Sequence, residues 1–83
     1  MPVNKPLHEL INEVVEKSNM IMQRCQSTTL HTICRRYLSN VQLLLSEHRD
    51  KIENEDVEVK EEVERWLFQT TQFERRFVGK EKN

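Results

Sequence analysis

The sequence contains very few of the residues that interrupt helices. It has one glycine and two prolines among 83 residues, and neither type occurs between Pro6 and Gly79. Glycine and proline are the strongest local breakers of regular structure, so their absence favours an almost purely α-helical protein. It also leaves no room for a glycine-rich phosphate-binding loop.

Long apolar runs and cysteines are also scarce. No apolar run exceeds three residues, as in Leu43–Leu45, whereas a membrane-spanning helix needs roughly 20. A secreted disulfide scaffold of this length usually has more than two cysteines, and the first residues show no apolar segment of a signal peptide. We therefore expect a soluble protein of the cytoplasm or nucleus, without a membrane span.

Excess charge of one sign is missing as well, since the net charge is -1. Proteins that coat nucleic acid concentrate basic residues, so this balance argues against that task. The charge is nevertheless uneven along the chain. Residues 17–46 contain four basic and no acidic side chains, whereas residues 47–64 contain nine acidic and three basic ones.

Apolar residues recur at helical spacing in three stretches. They predict helices near 5–25, 29–53 and 56–78, and a single domain built as a small antiparallel three-helix bundle. The helical phase breaks at residues 26–29, where serine and threonine favour caps, so a turn is predicted at Ser27–Thr29. The stripes run as follows: Leu7, Leu10, Ile11, Val14, Val15, Ser18, Ile21, Met22, Cys25; then Leu30, Ile33, Cys34, Tyr37, Leu38, Val41, Leu44, Leu45, His48, Ile52; then Val59, Val63, Trp66, Thr70, Phe73, Phe77, with Leu67 and Val78 on the flank.

Capping residues mark several helix ends. Asn4 is a candidate N-cap with Pro6 in the first turn, Asn54 or Asp56 suits the start of the third helix, and Gly79 suits its end. The third stripe continues the second in phase, however. The alternative is a helical hairpin with one long C-terminal helix, completed by a partner or a second copy.

Residues with metal-binding or nucleophilic side chains form no recognisable site. The one set suited to zinc is Cys25, His31, Cys34 and His48, whose spacing fits no closed site. Three of the four lie on apolar stripes, so core packing explains them. We expect no catalytic residue, no cofactor and no metal, and therefore a protein that is not an enzyme.

Residues off the stripes indicate binding. Met20, Leu43 and Phe68 point away from the core on a helical wheel, and four of the five aromatic residues lie in the last helix. We expect that helix to carry the main partner contact through Phe68, with Trp66 in the core. Candidate polar contacts are Arg35, Arg36, Arg75 and Arg76.

These features predict a protein-interaction module. It acts as an adaptor or assembly subunit that presents helical faces to protein partners, including a helix docked in a groove, or to a second copy of the chain. Two alternatives stay open. One is a helical protein associated with nucleic acid through its arginines, which the net charge disfavours, and the other is a self-associating coiled coil.

Overall fold

The computed structural model describes residues 5–78. This part of the chain is helical apart from short connections, which confirms the prediction of an all-α protein. The number of helices differs from the prediction, because these residues form four helices rather than three. They are α1 (Leu7–Arg24), α2 (Thr28–Glu47), α3 (Arg49–Glu53) and α4 (Val57–Phe73), and a π-helical segment (Glu74–Val78) extends α4 without a break.

The connection between α1 and α2 is capped by Ser27. Its side-chain oxygen accepts a hydrogen bond from the backbone N–H of Leu30 at 3.3 Å, as an N-cap residue does. Thr28 and Thr29 already belong to the first turn of α2. The connection therefore covers residues 25–27 and overlaps the predicted Ser27–Thr29 turn only at Ser27, because α2 begins directly after this cap.

Glu55 interrupts the helical backbone between α3 and α4. Its φ of 55° is the single positive value among the described non-glycine residues. The Glu55 N–H donates to the Ile52 carbonyl at 3.2 Å, and the Asp56 N–H donates to the Lys51 carbonyl at 2.9 Å. This pair of bonds is a Schellman motif, which ends a helix. The alternative of one long C-terminal helix is therefore wrong.

Glu55 also caps α1 from a distance in sequence. Pro6 lies at the N-cap position of α1 rather than inside the first turn and makes no side-chain cap, while Asn4 lies outside the described residues. Instead, the two carboxylate oxygens of Glu55 accept the Leu7 N–H at 3.1 and 3.0 Å. A negative charge at this end of a helix is favourable. Glu55 therefore links the start of α1 to the connection between α3 and α4.

Helix α1 is the centre of the fold. It packs along both α2 and α4, which barely approach each other. Helices α1 and α4 run in the same direction, since Leu7 contacts Glu55 and Lys17 pairs with Glu74 at 2.9 Å. The fold measures 42 × 30 × 14 Å. It is a flat layer in which α2 and α4 lie on either side of α1.

The core consists of two apolar clusters. The first contains Leu7, Leu10, Ile11, Val14, Val41, Ile52 and Val63. The second contains Ile21, Leu30, Cys34 and Val78. Ser18 and Thr70 lie between the clusters along α1 and α4, and both are fully buried. The Thr70 hydroxyl donates back to the carbonyls of Trp66 and Leu67 at 3.1 and 3.0 Å, whereas the Ser18 oxygen has no hydrogen-bond partner among the described residues.

The π-helical segment changes which residue faces the core. The apolar stripe predicts Phe77 on the core side and Val78 on its flank, but Val78 is buried and Phe77 is 41% exposed. A π turn closes i→i+5 hydrogen bonds, so each residue rotates by less than the 100° of an α-helix. Val78 is thereby brought into the second cluster. The predicted cap Gly79 lies outside the described residues.

Candidate functional site

A groove runs between the C-terminal half of α2 and the N-terminal half of α4, with α3 at one end. Its volume is about 340 Å³. It exists because α2 and α4 both pack on α1 but barely on each other. The groove is lined by Asn40, Leu43, Leu44, His48, Lys51, Asp56, Glu58, Val59, Glu62 and Trp66.

The floor of this α2–α4 groove is apolar and partly aromatic. Leu44, Val59 and Trp66 are partly buried and pack against the first core cluster. Tyr37 of α2, which is not a lining residue, stacks its ring on that of the groove residue Trp66, with centroids 6.2 Å apart and an interplanar angle of 26°. Burial raises the pKa of the Tyr37 hydroxyl, so Tyr37 stays neutral and contributes mainly ring surface. Trp66 is thus a groove residue rather than a fully buried core residue.

The rim of the groove is acidic. Asp56, Glu58 and Glu62 outnumber Lys51 there. The Asp56 carboxylate accepts the Val59 N–H at 3.4 Å and caps α4, which confirms Asp56 as one of the two predicted caps. The N-terminal position that favours acidic residues in a helix thus also concentrates negative charge beside an apolar floor.

The three outward apolar residues predicted as binding contacts are all at the surface. Met20 is 36% exposed, Leu43 is 49% exposed and Phe68 is 61% exposed. They are not brought together. Leu43 lines the α2–α4 groove, Phe68 borders a second hollow between α1 and α4, and Met20 lines neither.

The end of the molecule away from α3 is basic. Helix α1 ends there, α2 begins there and the π-helical segment packs against both. Within the described chain, the single acidic residue on the π-helical segment, Glu74, is paired with Lys17. The uneven charge of the sequence therefore becomes a dipole across the folded protein. Five exposed arginines lie in this half: Arg24, Arg35, Arg36, Arg75 and Arg76.

Packing and helix capping account for the positions of the two cysteines and His31. Both cysteines are unpaired. Burial raises the pKa of the Cys34 thiol, and the nearby Ser18 hydroxyl offsets only part of this rise. The Ser18 hydroxyl makes no well-formed hydrogen bond with the described residues. His31 donates from Nε2 to the Cys25 carbonyl at 2.6 Å, which satisfies the end of α1. Residues 5–78 contain no group of three His, Cys, Asp or Glu side chains placed to hold a metal ion.

Several groove residues were not predicted as a binding site from the sequence. Trp66 and Val59 lie on an apolar stripe and are indistinguishable by spacing from core positions. One sequence signal for the groove is the width of the apolar face on α2, because Leu43 adjoins Leu44 and broadens the stripe. Nothing in the spacing shows that α2 and α4 stay apart.

Comparisons with known proteins identify no relative of this chain. Neither a protein-family model, nor a curated protein, nor a solved structure matches this chain. The described helices include none that is both long and apolar enough to cross a membrane.

Proposed function

We propose that this chain is a non-enzymatic protein-interaction module, an adaptor or assembly subunit whose α2–α4 groove binds one helix of a partner protein. The observation that supports it is the combination of an open apolar floor with an acidic rim in a groove of about 340 Å³. Helix-in-groove recognition uses apolar anchors spaced i, i+3, i+4 and i+7 on an amphipathic helix. The half-buried floor residues offer a surface for such anchors.

The charge of the rim specifies the chemistry of the partner. The acidic side chains Asp56, Glu58 and Glu62 all lie on the α4 side of the apolar floor, so they favour a helix that carries lysine or arginine along the edge of its apolar stripe that faces α4. Such complementarity raises the association rate and rejects acidic helices. We place this activity in the cytoplasm or nucleus, where unpaired thiols such as those of Cys25 and Cys34 stay reduced.

Trp66 provides a direct test, because it is the only tryptophan in the chain and lies in the groove. The probe is a synthetic amphipathic peptide without tryptophan, with leucines at helical spacing and flanking lysines. Its titration should change the Trp66 emission and give saturable binding. A matched peptide with glutamate in place of every lysine should bind at least tenfold more weakly.

Two substitutions on α2 make the test specific. Leu43→Asp changes an exposed groove residue and should weaken peptide binding at least tenfold, whereas Leu45→Asp changes a 44% exposed residue outside the groove and should leave binding unchanged. Circular dichroism checks that both variants keep their helices. Equal binding by both variants, or no binding by the wild type, would reject the proposed function.

A second candidate function rests on the basic half. The five arginines favour an anionic partner, and the exposed Phe77 lies on the same segment as Arg75 and Arg76. Binding of a generic oligonucleotide that weakens steeply with salt would support nucleic-acid association. Its absence at low salt would dismiss that alternative.

A further inference from the structure

Helix α4 has two exposed apolar residues on the side opposite the α2–α4 groove. Phe68 is 61% exposed there, and Val57 is 67% exposed. They are eleven residues apart, which at about 100° per residue places them on nearly the same side of the helix. Glu62 and Trp66 line the groove and lie about 120° and 160° away from Phe68 around the helix. We call the side centred on Phe68 the outer face of α4.

The outer face borders a shallow hollow between α1 and α4. Its volume is about 320 Å³, and its lining residues are Lys5, Leu10, Glu64, Leu67, Phe68 and Thr71. Phe68 lies at the edge of this hollow rather than filling it. An exposed ring beside an apolar hollow is suited to self-association. The Phe68 ring of one molecule would fill the hollow of the other, and the reverse contact would form at the same time.

Two opposite charges on the outer face lie at equal distances in sequence from Phe68. Glu61 precedes Phe68 by seven residues, Arg75 follows it by seven, and all three are exposed. Seven residues are close to two helical turns, so Glu61 lies on the same side of the helix as Phe68. Arg75 is only the second residue of the π-helical segment, so the smaller rotation there leaves it near that side. When two such helices pack antiparallel with the two Phe68 side chains at the centre, Glu61 of each copy faces Arg75 of the other.

This arrangement is what a two-fold symmetric interface requires, because the same surface must complement itself. A partner helix with one sign of charge would match one end of the outer face and clash with the other. We therefore propose that the outer face of α4 binds a second copy of this chain, with antiparallel α4 helices related by a two-fold axis near Phe68. The α2–α4 groove stays open in this dimer, since it lies on the other side of α4.

Sedimentation over a concentration series tests the dimer. The full chain should shift from monomer to dimer, and Phe68→Glu should raise the dimer dissociation constant at least tenfold. The matched control is Leu45→Glu, another exposed apolar residue, on α2 and away from the outer face. Circular dichroism establishes that both variants are folded. A wild-type chain that stays monomeric to millimolar concentration would overturn the proposal, as would equal effects of the two variants.

A charge exchange tests the antiparallel geometry itself. Glu61→Arg and Arg75→Glu should each weaken the dimer, and the double variant should restore much of the loss because the charges again alternate. A double variant weaker than either single one would overturn the proposed register. The dimer is independent of the groove: Phe68→Glu should still bind the basic amphipathic peptide, so failure of the dimer and failure of the groove are distinguishable.

Discussion

At the scale of single residues, Glu55 stands out because it has two structural roles. Its backbone takes a left-handed conformation that costs most residues about 1 kcal/mol or more, and its carboxylate caps α1. Lys60 lies 3.7 Å from the same carboxylate. The unfavourable φ therefore accompanies a tertiary cap of α1, whose N-cap residue Pro6 makes no side-chain cap of its own.

We expect two substitutions of Glu55 to separate these roles. Glu55→Ala removes the cap and keeps the unfavourable φ, so it should lower the free energy of unfolding by about 1 kcal/mol. Glu55→Gly also removes the cap but relieves the backbone, so its loss should be smaller, by several tenths of a kcal/mol or more. Urea denaturation measures both. An alanine variant as stable as the wild type would show that the cap contributes nothing.

Residue positions were predictable where local geometry decides them. The wheel correctly placed Met20, Leu43 and Phe68 at the surface, because side-chain direction on a helix follows from 100° per residue. It did not reveal the cap made by Glu55 or the partial exposure of Trp66. Both depend on how separate helices meet, and spacing within one helix carries no information on that.

At the scale of elements, the apolar periodicity predicts the long helices, and Ser27 and Asp56 mark two of their starts. The extra helix α3 was missed because residues 49–53 continue the phase of α2. The π-helical segment was missed for a different reason. A widened turn is favoured here by burial of Val78 in the second cluster, which is a tertiary effect.

The π turn and a regular α-helix predict opposite orders of stability loss for substitutions at Phe77 and Val78. Val78→Ala should lower the free energy of unfolding by about 2 kcal/mol, since it removes two buried methyl groups and leaves a small cavity. Phe77→Ala should lower it by less than Val78→Ala, about 1 kcal/mol, although it removes many more atoms, because Phe77 is 41% exposed and belongs to neither buried cluster. Thermal and urea denaturation of the two variants give the comparison. A larger loss for Phe77→Ala would mean that the stripe continues as a regular α-helix.

At the scale of the whole molecule, the up-down-up order of α1, α2 and α4 determines where charge accumulates. It brings most of the acidic residues near α3 and five of the seven arginines to the other end, although neither group is contiguous throughout the sequence. The flat layer then leaves the acidic half with an open groove. The dipole was predictable along the sequence, but the groove was not, because it requires α2 and α4 to remain apart.

The same layout predicts uneven stability along the molecule. The first cluster has seven buried apolar residues and the second has four, and the polar layer of Ser18 and Thr70 separates them. Local opening follows the density of buried apolar contacts. Amides beside the second cluster, in residues 28–34 and 74–78, should therefore exchange with solvent through smaller opening free energies than amides beside the first. Native-state hydrogen exchange measures these energies residue by residue.

Ser18→Ala tests whether the polar layer causes this difference. The Ser18 hydroxyl is fully buried without a hydrogen-bond partner among the described residues, and such a group costs about 1–3 kcal/mol of desolvation. Alanine removes that cost and is the better helix former, so the free energy of unfolding should rise by about 1 kcal/mol. The opening free energies of the two ends should also draw closer, because Thr70 is then the one fully buried polar residue left between the two clusters in the described chain. A variant that is stabilised evenly at both ends would contradict the idea that Ser18 separates them, and a destabilised variant would show that its hydroxyl is satisfied in solution.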